Sequence, residues 1–197
     1  MRNEQSAPKQ AAVFLDRDGT INAEKNYLHK IAEFEFIPGA PEAIKRLKDA
    51  GFLVIVVSNQ AGVARGYFDE EAVRTLHRHI QSELAGYGTS IDAFYFCPHH
   101  PEEGVGPFRV SCDCRKGEPG MLLQAAEDYN IDLGKSFMVG DKLADIEAGK
   151  RAGCQSLLVL TGYGESVKFS PEAASVEKCP DLVNAARLII DQVIEKK

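Results

Sequence analysis

Apolar residues along this chain gather in short, dense runs separated by stretches of mixed polarity. Residues 11–15 (AAVFL) form the first such run, too compact for a helix and continuous enough to be a buried strand. Residues 52–57 (FLVIVV) make a stronger case because β-branched side chains fill the run. Residues 93–96, 136–139 and 156–160 complete a set of five expected strands. Helices fill the gaps. Residues 41–50 begin with a proline suited to the first helical position and stop at Gly51. Asp69 is placed to cap a helix reaching about Leu84, with Glu70 and Glu71 complementing the dipole of its first turn. Residues 119–129, 143–152 and 181–194 supply three more helices.

Strands that alternate with helices and lack a polar face imply an α/β fold: a doubly wound, mainly parallel, Rossmann-like sheet covered on both sides. Residues 11–197 are expected to form one domain behind a flexible N-terminus, 1–10, with no internal repeat. Two long irregular stretches remain, 21–38 and 98–118, and loops of that length in compact α/β domains usually carry function.

Composition narrows the class. With 44% apolar and 26% charged residues the chain reads as an ordinary globular protein. No apolar run is long enough to cross a bilayer, and residues 1–10 lack the apolar stretch of a signal peptide, so a cytoplasmic monomer is expected. The net charge of −6 argues against a nucleic-acid partner, whose phosphates need a basic surface. A small phosphorylated substrate needs only a few local cations.

The polar residues of interest directly follow the expected strands: Asp16 and Asp18 after the first, Ser58 and Asn59 after the second, Asp141 after the fourth. Parallel sheets bind ligands beyond the carboxyl ends of their strands, so these residues converge on one crevice. Asp16, Asp18 and Asp141 together make a hard, all-oxygen site suited to Mg²⁺. Taken alone, the first pair also fits an acidic turn, and Arg115-Lys116 also fits a solvated basic turn. Asp145, four residues beyond Asp141, either orients a neighbour or serves as a helix N-terminal carboxylate.

Three of the five cysteines, Cys97, Cys112 and Cys114, lie beside His99 and His100. Three thiolates and one imidazole match a closed, tetrahedral, structural Zn²⁺ site, with His99 as the fourth ligand and His100 as its rival. Free thiols beside a surface histidine are the plainer alternative. Cys154 and Cys179 stand apart as ordinary thiols.

DxDGT at Asp16–Thr20, Ser58, Arg115-Lys116 and GDxxxD at 140–145 stand in the order of the haloacid dehalogenase-like phosphatases, which residues 11–162 resemble. That resemblance implies a magnesium-dependent phosphomonoesterase without a cap domain. Asp16 would be the nucleophile that becomes an aspartyl-phosphate, and Asp18 the acid and then the base, which requires it to be protonated part of the time. The Asp16 carboxylate, the Asp18 main-chain carbonyl and Asp141 would hold Mg²⁺, while Ser58, Arg115 and Lys116 would grip the phosphoryl oxygens. Substrate would be read by the loops carrying Glu24, Lys25, Asn26 and Tyr27, by Ser58, Asn59, Gln60 and Ala61, and by Arg115, Lys116 and Lys142. Lys25, Arg65 and Lys142 are spare cations for a second phosphate, although solubility explains Lys25 and Arg65 as well. Within the family, SNQAGVARGYF, CPHHP with CDCRKGEPGM, and VGDKLADIEAG are most similar to the branch acting on heptose bisphosphates for lipopolysaccharide and related bacterial glycans. The histidinol-phosphate branch shares the zinc loop. A non-catalytic module of the response-regulator type is disfavoured, since the third expected strand ends Phe96-Cys97-Pro98 with no carboxylate to phosphorylate. A phosphatase of nucleic-acid ends is disfavoured by the charge.

Overall fold

The computed structural model describes residues 8–194. Of the stretch expected to be a flexible terminus, residues 1–7 lie outside the described part. Gln10 is already fixed: it bridges Ile131 in parallel, and its side-chain amide donates to the Gly51 carbonyl at 2.9 Å.

Six strands form one parallel sheet: β1 (Ala12–Leu15), β2 (Leu53–Asn59), β3 (Ala93–Cys97), β4 (Phe137–Gly140), β5 (Gln155–Val159) and β6 (Glu177–Cys179). Their order across the sheet is β3-β2-β1-β4-β5-β6. The chain therefore winds outward from β1 in one direction, then returns and winds outward in the other. The reversal falls between β1 and β4, where Leu15 pairs with Val139.

Period-two alternation sorts the strand side chains onto two faces. Val13, Leu15, Val54, Val56 and Val139 pack under α1 (Ala40–Asp49), α3 (Glu70–Gly86) and α7 (Leu182–Ile194) through Ile44, Leu47, Leu76, Ile80 and Ile189. Ala12, Phe14, Ile55, Val57 and Met138 pack under α4 (Gly120–Asp128) and α5 (Leu143–Ala152) through Met121, Leu122, Ala125 and Ala148. Phe14 and Leu15 are fully buried, each contributing about 2–3 kcal/mol of burial to the sheet's position. The Asp69 carboxylate caps α3 by accepting from the Ala72 amide at 2.8 Å, as its sequence position indicates.

Three elements go beyond the sequence expectations. Strand β6 is short and carries Glu177 and Lys178, with only Cys179 buried, so it offers no apolar run. The single-turn helices α2 (Ala61–Ala64) and α6 (Gly164–Val167) are too short to show a period. Helix α1 starts one residue earlier than expected, leaving Pro41 second in the helix behind a left-handed Gly39. Among the described residues, no helix is long and apolar enough to cross a membrane.

Candidate active site

The winding reversal brings the carboxyl ends of β1 and β4 side by side. The Asp16 amide donates to the Val139 carbonyl at 2.9 Å, and Asp16 and Asp141 leave adjacent strands on the same edge. One carboxylate oxygen from each of Asp16, Asp141 and Asp145 lies within 4.8 Å of the other two, and all three residues are buried. That limit admits the roughly 4.2 Å spanned by opposite oxygens on one Mg²⁺. The chain comes close here because two glycines permit it. A Cβ on Gly19 (φ 84) or on Gly162 (φ 55) would fall 2.1 Å from Asp141 Oδ2. The Tyr163 amide thereby reaches that same oxygen at 2.8 Å.

The cluster suits a divalent cation. Asp141 Oδ1 is buried without a hydrogen-bond partner. Burial first, and the Asp16 charge second, push the Asp141 carboxyl well above the usual carboxylate range. A bound cation would reverse that penalty. The Asp18 side chain is not part of the cluster, so only its main-chain carbonyl could join.

Lys116 is the cluster's internal counter-charge. Its ammonium, 3% exposed, lies 2.5 Å from Asp16 Oδ1 and 2.7 Å from Asp145 Oδ1. Burial opposes its charge, but Asp145 and Asp16 outweigh burial and raise its pKa. Asn59 fixes the backbone there by accepting from the Lys116 amide at 2.8 Å and donating to its carbonyl at 3.2 Å. Asp145 does both things the sequence allowed: it pairs with Lys116, and its other oxygen accepts from the Lys142 amide at the start of α5.

The cysteine loop closes on itself. Ligand atoms of Cys97, His99, Cys112 and Cys114 all lie within 4.8 Å of one another. Sulfur–sulfur separations of 3.2–3.5 Å approach the roughly 3.8 Å edge of a tetrahedron with 2.3 Å Zn–S bonds. Burial, then thiol neighbours, raise Cys97 and Cys114, so these sulfurs would ionise together only around a cation. His100 is engaged elsewhere: its Nδ1 accepts from the Glu102 and Glu103 amides. The Arg115 guanidinium donates to the His99 carbonyl at 3.0 Å, tying the phosphate side of the crevice to the cysteine cluster.

Asp18 sits in a polar cage. Arg17, fully buried, donates to both its oxygens at 3.1 and 2.9 Å, and Asn22 and Gln60 add one bond each. Burial pulls the Asp18 carboxyl upward, yet Arg17 and these amides prevail and hold it below its ordinary value. In this arrangement, without metal or substrate, the carboxylate form is favoured. Behind Arg17 stands His77, 3.4 Å away and stacked on Phe94. Burial, then the Arg17 charge, depress His77 to about 3. Unfolded chains would protonate it below about 6.5, so stability should fall with pH from there toward 3, by up to about 1.4 kcal/mol per unit. His77→Gln should flatten the melting-temperature profile between pH 6.5 and 5, and an unchanged slope would refute this account.

A cavity of about 580 Å³ opens beside the cluster, lined by Asp18, Glu24, Asn26, Tyr27, Asn59, Gln60, Ala61, Arg115, Lys116 and Lys142 among the expected residues, and by Arg65; Asp16 and Asp141 do not line it, but Lys116, Lys142 and Tyr163, which contact them, do. Lys25 does not line it and pairs with Glu35 at 3.0 Å. Ser58 lies beneath, 1% exposed, its hydroxyl accepting from the Gln60 amide at 2.7 Å.

Residues 113–186 match the HAD-hydrolase-like family model. The chain is 44% identical over 187 residues to D-glycero-beta-D-manno-heptose-1,7-bisphosphate 7-phosphatase of Escherichia coli strain K12, covering 94% of each chain. It is 46% identical to the Yersinia pestis protein of the same name, over 87% of this chain and 89% of that one. The crystal structure of a D,D-heptose 1,7-bisphosphate phosphatase from B. bronchiseptica, complexed with magnesium and phosphate, superposes with a TM-score of 0.81 at 34% identity. That match covers 95% of this chain and all of the other. The chain belongs to the heptose bisphosphate phosphatase family of HAD-like hydrolases.

As a member of that family it is a phosphoric monoester hydrolase, and the geometry adds residues that sequence reasoning missed. Arg17, Asn22 and His77 build the cage around Asp18, while Tyr163, Ser166 and Val167 line the cavity from the turn after β5 and from α6. Arg17 carried a signal: a charge directly after a fully buried strand must find a partner inside. The others carried none.

Proposed function

We propose that this enzyme removes the 7-phosphate of D-glycero-beta-D-manno-heptose 1,7-bisphosphate through a phosphorylated Asp16. The observation that carries the chemistry is the buried convergence of Asp16, Asp141 and Asp145 with Lys116 beside an open cavity. The substrate is taken from the relatives' names and fits a cavity whose wall offers Arg65 and Lys142 to a second phosphate.

Asp16 attacks phosphorus and forms an acyl phosphate as the sugar oxygen leaves with a proton from Asp18. Water then attacks the acyl phosphate, and Asp18 takes the proton from that water. Its caged carboxylate is already prepared for this second role. Lys116, between Asp16 and Asp145, holds positive charge where the phosphoryl oxygens arrive, with Ser58 and Arg115 supplying further donors. A magnesium ion held by Asp16, Asp141 and the Asp18 carbonyl would offset repulsion between the anionic nucleophile and the anionic phosphate. Four-ligand zinc at Cys97, His99, Cys112 and Cys114 would be structural, with no open position.

Phosphate release with magnesium should show at least tenfold higher kcat/KM for heptose 1,7-bisphosphate than for histidinol phosphate, about 1.4 kcal/mol of discrimination. A preference for histidinol phosphate would overturn the substrate and leave the chemistry standing.

A further inference from the structure

The loop that carries Glu24, Asn26 and Tyr27 is not self-supporting. Asn26 (φ 50) and Tyr27 (φ 64) both occupy the left-handed region, which non-glycine residues reach only when their surroundings hold them there. Glu24 braces the loop from within, one oxygen accepting from the Asn26 amide at 2.9 Å. On one side Arg65 lies over the Tyr27 ring at 5.5 Å. On the other side the holding residue is Tyr163.

Tyr163 reaches three groups at once. Its amide donates to Asp141, its ring lies 4.8 Å from the Lys142 ammonium, and its hydroxyl is 3.4 Å from Asn26 Oδ1. Lys142 in turn pairs with Glu24 at 3.1 Å, closing a circuit of Tyr163, Lys142, Glu24 and Asn26 at the cavity mouth. The amide of Tyr163 is fixed by Gly162, whose close approach to Asp141 admits no side chain. Tyr163 is part of the cavity lining and remains 42% exposed there. Without the ring, Lys142 keeps Glu24 at 3.1 Å and Asp141 at 3.8 Å but loses the aromatic face that lies 4.8 Å from its ammonium, and Asn26 loses its outer contact.

We propose that Tyr163 is a specificity-determining positioning residue: it holds Lys142 and the 24–27 loop against the cavity, so that a long phosphorylated polyol is gripped at its far end. A phosphate ester too short to reach that wall gains nothing from it. This rests on the heptose bisphosphate reading and deepens it. Because the contact to Asp141 is a main-chain one, substitution of the side chain leaves the metal carboxylate's partner in place.

The test measures kcat and KM for heptose 1,7-bisphosphate in the parent, in Tyr163→Leu and in Tyr163→Phe, with p-nitrophenyl phosphate as the short comparison substrate. Tyr163→Leu should raise KM for the heptose about fivefold to tenfold with kcat reduced less than twofold. Tyr163→Phe, which keeps the ring over Lys142, should recover most of that loss and stay within about threefold of the parent. An unchanged KM in Tyr163→Leu, or a fall in kcat without a rise in KM, would overturn the assignment. A parent that does not favour the heptose over p-nitrophenyl phosphate would instead overturn the substrate reading, and this proposal with it.

Discussion

Asp16→Asn should lower kcat for phosphate release by at least about 10⁴-fold while leaving the fold intact, as expected when a covalent nucleophile is removed. An amide in that place can neither form the acyl phosphate nor carry the charge that Lys116 faces at 2.5 Å. The stability consequence is smaller than burial alone suggests. Losing one partner of a buried ion pair costs about 3–5 kcal/mol when the remaining charge is stranded. Lys116 is not stranded, because Asp145 stays 2.7 Å away. Removing the Asp16 charge also relieves Asp141 and Asp145, both of which it pushes upward. These effects oppose each other, so the metal-free melting temperature should move by no more than about 4 °C, the equivalent of about 1 kcal/mol. Multiple turnover in this variant within a hundredfold of the parent would remove Asp16 from the nucleophile's role. Collapse of the melting transition would show that the cluster holds the fold together as well.

What the sequence disclosed follows from how each feature arises. Strands β1 and β2 were legible because both faces are covered, which forces continuous apolar runs. Strand β6 was not, since an edge strand of three residues can be charged without penalty. Asp16, Asp18 and Asp141 were legible because each follows such a run directly, and the cysteine cluster because few residue types can bind a soft metal. Arg17 could be found only as a charge in want of a partner. His77, which stands behind it, lies 60 positions away, and Asn26 lies 137 positions from Tyr163. Those contacts join the loop after β1 to α3 on one side and to the turn after β5 on the other, and leave no periodicity behind. The cage around Asp18 was hidden for a related reason: the fork that grips it belongs to its own neighbour, Arg17, and the sequence does not say which partner that side chain takes.

The zinc loop carries the second large effect. Residues 101–111 contain no buried side chain, so apolar burial does nothing to order them. Fixing those backbones costs about 1–2 kcal/mol per residue, a sum on the order of 10–20 kcal/mol. Scattered bonds such as His100 to Phe108 and Val105 to Ala64 offset only part of it at about 1 kcal/mol each. Zinc held by Cys97, His99, Cys112 and Cys114 would supply a contribution of that size, with apparent binding free energies of about 10–16 kcal/mol. Metal analysis of the parent should find about one zinc per chain, and Cys112→Ser should abolish it and expose the amides of residues 98–113 to rapid hydrogen exchange. Activity should fall about 100-fold, because Arg115 is held through the His99 carbonyl, while Lys116 keeps its clamp to Asn59. Cys179→Ser is the control: that thiol is buried in the core on the sheet's other face, away from the cluster, and its loss should leave zinc in place. Stoichiometric zinc persisting in Cys112→Ser would refute the ligand set. Slow exchange surviving its loss would mean that the loop is held by something other than metal.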